Sequence, residues 1–216
     1  MNALVVHAHP ESRSFCAALK DTAVSELFAL GCDVTVSDLY AERFRPDLSA
    51  DDFTSRANGD FLRPMEEQQH GVTTGTLAPD VAREVERLRA AGLVVFTAPM
   101  WWFSVPAMLK GWFDRVLVNG YAYGTVKAWT GPLTDKRAML AMTCSYEQAG
   151  FRAGGSIGEL EPLLRPIQHG TLAYCGFQVL EPFMAYAADE VDDGARTSML
   201  ESFRSMLRLA VEPSIP

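Results

Sequence analysis

Three consecutive large rings, Trp101-Trp102-Phe103, stand between Pro99-Met100 and Ser104-Val105-Pro106. So apolar a run does not sit in a solvated loop unless something flat covers it. Rings at the faces and backbone polar groups at the rim are what a planar aromatic ligand needs. Core packing beneath a long loop is the plain alternative. A second candidate group is His9, Ser12, Arg13 and Ser14, just ahead of Phe15-Cys16. Together with the open amides of a helix start, these residues could cradle a phosphate or diphosphate. Alternatively, Ser12 or Ser14 merely caps the helix and His9 is a turn residue. The third group is Thr143-Cys144-Ser145-Tyr146, leading into a loop with Gly150 and Gly154-Gly155, where absent side chains let backbone approach a ligand closely.

Other chemistries find less support. His7 and His9 alternate as ligands on one strand face would, but His70 and His169 lie at no ligand spacing, so no metal site is expected. There is no Walker pattern or Gly-x-Gly-x-x-Gly fingerprint, which argues against nucleoside-triphosphate chemistry and a dehydrogenase-type dinucleotide fold. A net charge of -8 is unsuited to phosphate-rich surfaces, so no nucleic-acid partner is expected. No apolar stretch reaches the ~20 residues of a membrane span. The start Met1-Asn2-Ala3-Leu4-Val5-Val6-His7 has no basic leader, so a cytoplasmic protein is expected. Cys16, Cys32, Cys144 and Cys175 are scattered and read as buried thiols.

The elements that must position these groups follow from periodicity. Leu4-Val5-Val6 predicts a strand, and Ser14 to Leu30 a helix with Phe15, Leu19, Ala23 and Leu27 on one face, ended by Gly31. Residues 33–39 alternate as a second strand. From about 43 to 76, periodicity is weak and Pro46, Gly59, Pro64, Gly71 and Gly75 intervene, predicting an irregular excursion that serves as lid, subunit contact or surface loop. Pro79 opens a helix carrying Val81, Val85 and Leu88. A strand over Leu93 to Thr97 follows, then a helix over Val105 to Val118 with Pro106 at its first position. Strand 137–143, helix 160–174, strand 177–180 and a final helix with Leu200, Phe203 and Leu207 complete one domain, 1–216. Five strands alternating with helices predict an α/β fold, a doubly wound five-stranded parallel sheet with helices on both faces. Ligands of such sheets bind beyond the strands' C-terminal ends, where the three candidate groups fall.

His9-Pro10 with Ser14-Phe15, the run from Pro99 to Val116, and Tyr174-Cys175-Gly176-Phe177 resemble the NAD(P)H:quinone oxidoreductase family, over about Leu4 to Glu212. The resemblance implies a flavodoxin-like fold, FAD rather than FMN as cofactor, and NAD(P)H as co-substrate. It also implies two-electron transfer to a quinone or related aromatic acceptor, and a homodimer with shared active sites. It places His9, Ser14, Phe15 and Cys16 on the diphosphate and adenylate side. Pro99, Met100, Trp101, Trp102 and Phe103 fall along the isoalloxazine, Thr143, Cys144, Ser145 and Tyr146 at its other edge, and Arg196 near the adenosine. Trp102 and Tyr123 fall in the substrate pocket.

The chain departs from the family in that pocket. The family's active-site tyrosine and histidine fall on Phe151 and Ile157, neither able to donate a hydrogen bond. A glycine pair is replaced by Ser145-Tyr146, and a glutamine by Leu62. Tyr146 is therefore the candidate phenol, with backbone amides as the alternative. The altered pocket keeps two other readings open: an azo, nitro or pathway-specific reductase, and a regulatory flavoprotein similar to subunits of potassium-efflux systems.

Overall fold

In the computed structural model, residues 1–124 and 131–212 are described; residues 125–130 and 213–216 of the expected domain lie outside them. The elements in order are β1 (Asn2–His7), α1 (Phe15–Ala29), β2 (Asp33–Asp38), α2 (Pro64–Thr74), α3 (Pro79–Ala90), β3 (Leu93–Pro99), α4 (Ala107–Val116), β4 (Arg137–Thr143), α5 (Leu160–Ile167), β5 (Gln178–Val179), β6 (Phe183–Ala185) and α6 (Asp193–Val211). The sheet order is β2-β1-β3-β4-β5, with β6 also on β4, and all pairings are parallel. This is the doubly wound order whose direction reverses between β1 and β3, leaving a crevice at their C-terminal ends.

Strand alternation divides the core into two layers. Leu4, Val6, Val94, Phe96 and Leu140 face α3, α4 and α5, while Ala3, Val5, Val95, Met139 and Ala141 face α1 and α6. Strands covered on both faces read as continuous apolar runs, which is why β1, β3 and β4 were visible in sequence. Phe96 anchors the first layer edge-on to Trp112 and Phe113, at 5.6 and 5.3 Å between centroids. The Trp112 indole N–H donates to Glu84 at 2.8 Å, so its polar atom is not stranded in that layer.

Three expectations need correction. The excursion over 43–76 is not irregular throughout, because residues 64–74 form α2, opened by Pro64 and closed by Gly75 at φ 72°. Its buried face is Glu67, Gln68 and Gly71, so apolar periodicity could not reveal it. Glu67 accepts the Ala57 and Asn58 amides at 2.7 and 3.0 Å, replacing hydrophobic contact with hydrogen bonds. Pro106 caps α4 rather than starting it. The fifth strand is broken: Gln178 and Val179 pair with Arg137 and Ala138, and Phe183 to Ala185 pair with Ala141 to Thr143. One extra residue separates the two registers, as in a bulge, and Pro182 lies within the break.

All four cysteines are free and buried. No helix of the described residues is long and apolar enough to cross a membrane.

Candidate functional site

Three loops meet at the C-terminal edge of the sheet. After β3, Trp101 and Ser104 exchange backbone hydrogen bonds at 3.0 and 3.1 Å, so Trp102-Phe103 is the apex of a two-residue hairpin. Both apex residues are left-handed, at φ 52° and 57°, the requirement of a type I′ turn usually met by Asn-Gly. For bulky L residues this costs about 1–2 kcal/mol each. Trp102 is 94% exposed, so its ring does not recover that cost by packing within the chain. Of four non-glycine residues with positive φ among the described residues, three belong to this edge: Trp102, Phe103 and Ala187. Strain maintained in one place points to a functional constraint there.

After β1, Ser14 caps α1: its hydroxyl accepts the Ala17 amide at 3.1 Å. The plain reading of Ser14 is thus correct, yet it leaves the Phe15 and Cys16 amides without an acceptor among the described residues, available to an anion. His9 shares hydrogen bonding with the Glu11 backbone, and its ring lies 6.1 Å from that of Trp101, joining the first loop to the aromatic one. The Arg13 side chain is 90% exposed, with only Glu11 at 3.5 Å. Behind the loop, buried His7 meets the Thr97 hydroxyl at 2.8 Å. Burial holds its pKa down at about 4, so it is a neutral strand residue.

After β4, the Thr143 carbonyl accepts the Met100 amide at 2.7 Å. The Cys144 amide donates to Ala185, and the Tyr146 carbonyl accepts from Ala187 at 2.9 Å. Burial raises the Cys144 thiol pKa and lifts that of Cys16 to about 12, so neither is a thiolate nucleophile. Phe151 packs against Tyr186 at 5.4 Å and edge-on to Tyr146 at 6.4 Å. Ile157 donates its amide to the Gly150 carbonyl at 3.2 Å.

These loops bound three adjoining clefts. The first, about 360 Å³, is lined by Met100, Trp101, Trp102, Phe103, Cys144, Ser145 and Tyr146. The second, about 110 Å³, continues past Met100 and Trp101 to Pro99, Thr143, His9, Ser14, Phe15 and Cys16. The third, about 370 Å³, shares Ser14 and Phe15 with the second and ends at Arg13 and Arg196. Arg196 braces this end by donating to the Ala188 carbonyl at 3.1 Å and pairing with Asp193 at 3.0 Å.

Of the residues singled out in sequence, Ser12, Tyr123, Phe151 and Ile157 line none of the three clefts. Phe151 meets the first cleft only through Tyr146, and the Tyr123 hydroxyl donates to Gln68 at 3.1 Å. Conversely, Ala188 and Asp189, which belong to none of the three candidate groups, line two clefts. Asp189 accepts the Ser145 hydroxyl at 3.2 Å. Their signal was the apolar run Phe183-Met184-Ala185-Tyr186 after Pro182, which marks a strand end and therefore a fourth loop.

Residues 1–207 match a family model described as flavodoxin-like fold. The chain is 40% identical over 215 residues to NAD(P)H dehydrogenase (quinone) 1 of Rattus norvegicus, covering 98% of this chain and 78% of that one. It is 38% identical over 207 residues to human (Homo sapiens) ribosyldihydronicotinamide dehydrogenase (quinone), covering 95% and 90%. The solved structure of a proposed quinone reductase from Klebsiella pneumoniae superimposes with a TM-score of 0.94 at 37% identity, covering 98% and 85%.

Proposed function

Because the chain belongs to the NAD(P)H:quinone oxidoreductase family of flavodoxin-like proteins, we propose that it is a flavin-dependent NAD(P)H oxidoreductase reducing quinones or related aromatic acceptors. The observation that carries this reading is the continuous trough: an aromatic cleft, a narrow polar neck at a helix N-terminus, and a third cleft between two arginines. A flavin mononucleotide ends at its phosphate. The third cleft lies beyond the Phe15 and Cys16 amides and would have no occupant in that case, so the trough favours FAD.

The residues fit that group in detail. Met100, Trp101, Trp102 and Phe103 offer an apolar bed, while the segment Thr143 to Tyr146 offers polar backbone at the opposite edge. The Phe15 and Cys16 amides, with His9 and Ser14 nearby, would hold a diphosphate. Arg13 and Arg196 would flank the nucleoside end. A bound flavin supplies a ring that takes a hydride from NAD(P)H and returns the two electrons to an acceptor. The balance is NAD(P)H, a proton and a quinone giving NAD(P)⁺ and a hydroquinone.

This chain's own contribution is binding, shape and one hydrogen-bond donor. Tyr146 is half-exposed and lines the first cleft, and its hydroxyl, without a partner among the described residues, is available to negative charge there. Phe151, which cannot donate, serves as a wall behind it. Trp102 stands uncovered by its own chain and Tyr123 lies away from the clefts, as in a homodimer where each subunit completes the other's pocket. The protein is read as cytoplasmic.

The test is anaerobic mixing of the flavin-loaded protein with NADH or NADPH, then with a quinone. The flavin absorbance should bleach and then recover. Flavin-loaded protein that neither dinucleotide reduces would refute the proposal.

A further inference from the structure

Phe103 and Tyr146 come from different loops, after β3 and after β4, yet their rings lie 16° from parallel with centroids 6.1 Å apart. Both line the first cleft, and both are open to solvent, at 39% and 51% exposure. Both rings are only partly buried, so their alignment also reflects how each is held. Phe103 is fixed by the left-handed backbone of its two-residue turn. Tyr146 is backed edge-on by Phe151, which rests on Tyr186, and its carbonyl is tied to Ala187. The hydrogen-bonding groups of the trough lie at the inner end, toward Thr143 and the Phe15 and Cys16 amides. At the outer end, where a soluble acceptor must enter and leave, the cleft presents two flat faces with fixed backing.

We infer that Phe103 and Tyr146 form a two-ring clamp that selects the electron acceptor by its flatness, taking an aromatic ring between them. The inference rests on the oxidoreductase reading above and adds the residues that set its specificity. Carbon contacts form at about 3.5–4.0 Å, so a ring held between two parallel rings needs them roughly 7 Å apart. The 6.1 Å between centroids includes any sideways offset of the two rings, so admitting a ring requires the pair to open, by movement of the half-exposed Tyr146 on its loop. An acceptor with no flat face gains nothing from the clamp.

The test is a ratio of acceptors. kcat/KM is measured for menadione and for ferricyanide, an octahedral ion without a ring, in flavin-loaded wild type, Tyr146→Leu and Tyr146→Phe. The Kd of menadione is read separately from quenching of tryptophan fluorescence, since Trp101 and Trp102 line the same cleft. Tyr146→Leu should lower the menadione-to-ferricyanide ratio and raise the Kd, each by roughly 3–10-fold, the worth of one ring contact. Tyr146→Phe should hold both within about twofold, because the face is kept. An unchanged ratio and Kd in Tyr146→Leu overturn the clamp. An equal loss in Tyr146→Phe also overturns it, by assigning the effect to the hydroxyl. Wild-type protein that binds menadione but reduces neither acceptor contradicts the oxidoreductase reading while the Kd series still decides the clamp.

Discussion

Replacing Trp102 by asparagine should stabilise the flavin-free protein while impairing it as an enzyme. The residue is held at φ 52°, where an ordinary L side chain costs about 1–2 kcal/mol and asparagine is tolerated. Its ring is 94% exposed, so almost no buried apolar area is lost on truncation. The balance is a gain of about 1 kcal/mol, which for a chain of this size raises Tm by about 2–4 °C. Thermal and urea unfolding measure it, with flavin removed because a bound ligand adds its own stabilisation. Phe103→Asn is the control. It relieves the same backbone strain at φ 57°, but it also removes a 39% exposed ring and its stack on Tyr146, so the gain should vanish. A Trp102→Asn protein less stable than wild type by more than about 0.5 kcal/mol would refute the strain argument, since no packing within the chain could account for the loss.

Tyr146→Phe should slow flavin reduction by NADPH, followed by stopped flow, by ~10²–10³ if the hydroxyl meets developing charge; an unchanged rate transfers that role to backbone amides. His7 is 1% exposed, and burial lowers its pKa from 6.5 to about 4. The unfolded chain therefore takes up this proton first, so the contribution of His7 is complete above pH 6.5 and is lost as pH falls toward 4. The loss is on the order of 3 kcal/mol. Urea unfolding from pH 7 to 4 should show a shallower decline for His7→Gln than for wild type, and parallel declines would contradict this. Lys136, 6% exposed, donates to the Arg89 and Ala91 carbonyls at 2.9 and 2.8 Å, closing the end of α3. Lys136→Met strands both acceptors and should cost about 2–3 kcal/mol in urea unfolding; a loss below about 0.5 kcal/mol would show that water reaches them.

What could be read from sequence was set by which physical signal each element carries. β1, β3 and β4 announce themselves because both faces are covered and their central positions are a continuous apolar run. α2 does not, because Glu67 and Gln68 make its buried face through hydrogen bonds. The last strand was seen only as far as Leu180, because one extra residue and Pro182 interrupt it, and with its second half went the loop carrying Ala188 and Asp189. The aromatic run drew attention by composition. Its conformation was unreadable, because turn chemistry assigns left-handed positions to glycine and asparagine and here they hold Trp102 and Phe103. The sequence resemblance implies a substrate-pocket role for Tyr123, but the chain's own fold leaves its hydroxyl on Gln68, away from the three clefts.

Whether this trough holds a flavin dinucleotide is read from the absorption spectrum of the purified protein and the mass of the flavin it releases on denaturation. The protein should be yellow, or turn yellow when FAD is added, and release FAD. Release of FMN alone would contradict the role given to the third cleft between Arg13 and Arg196, and a colourless protein that takes up neither flavin would contradict the account as a whole.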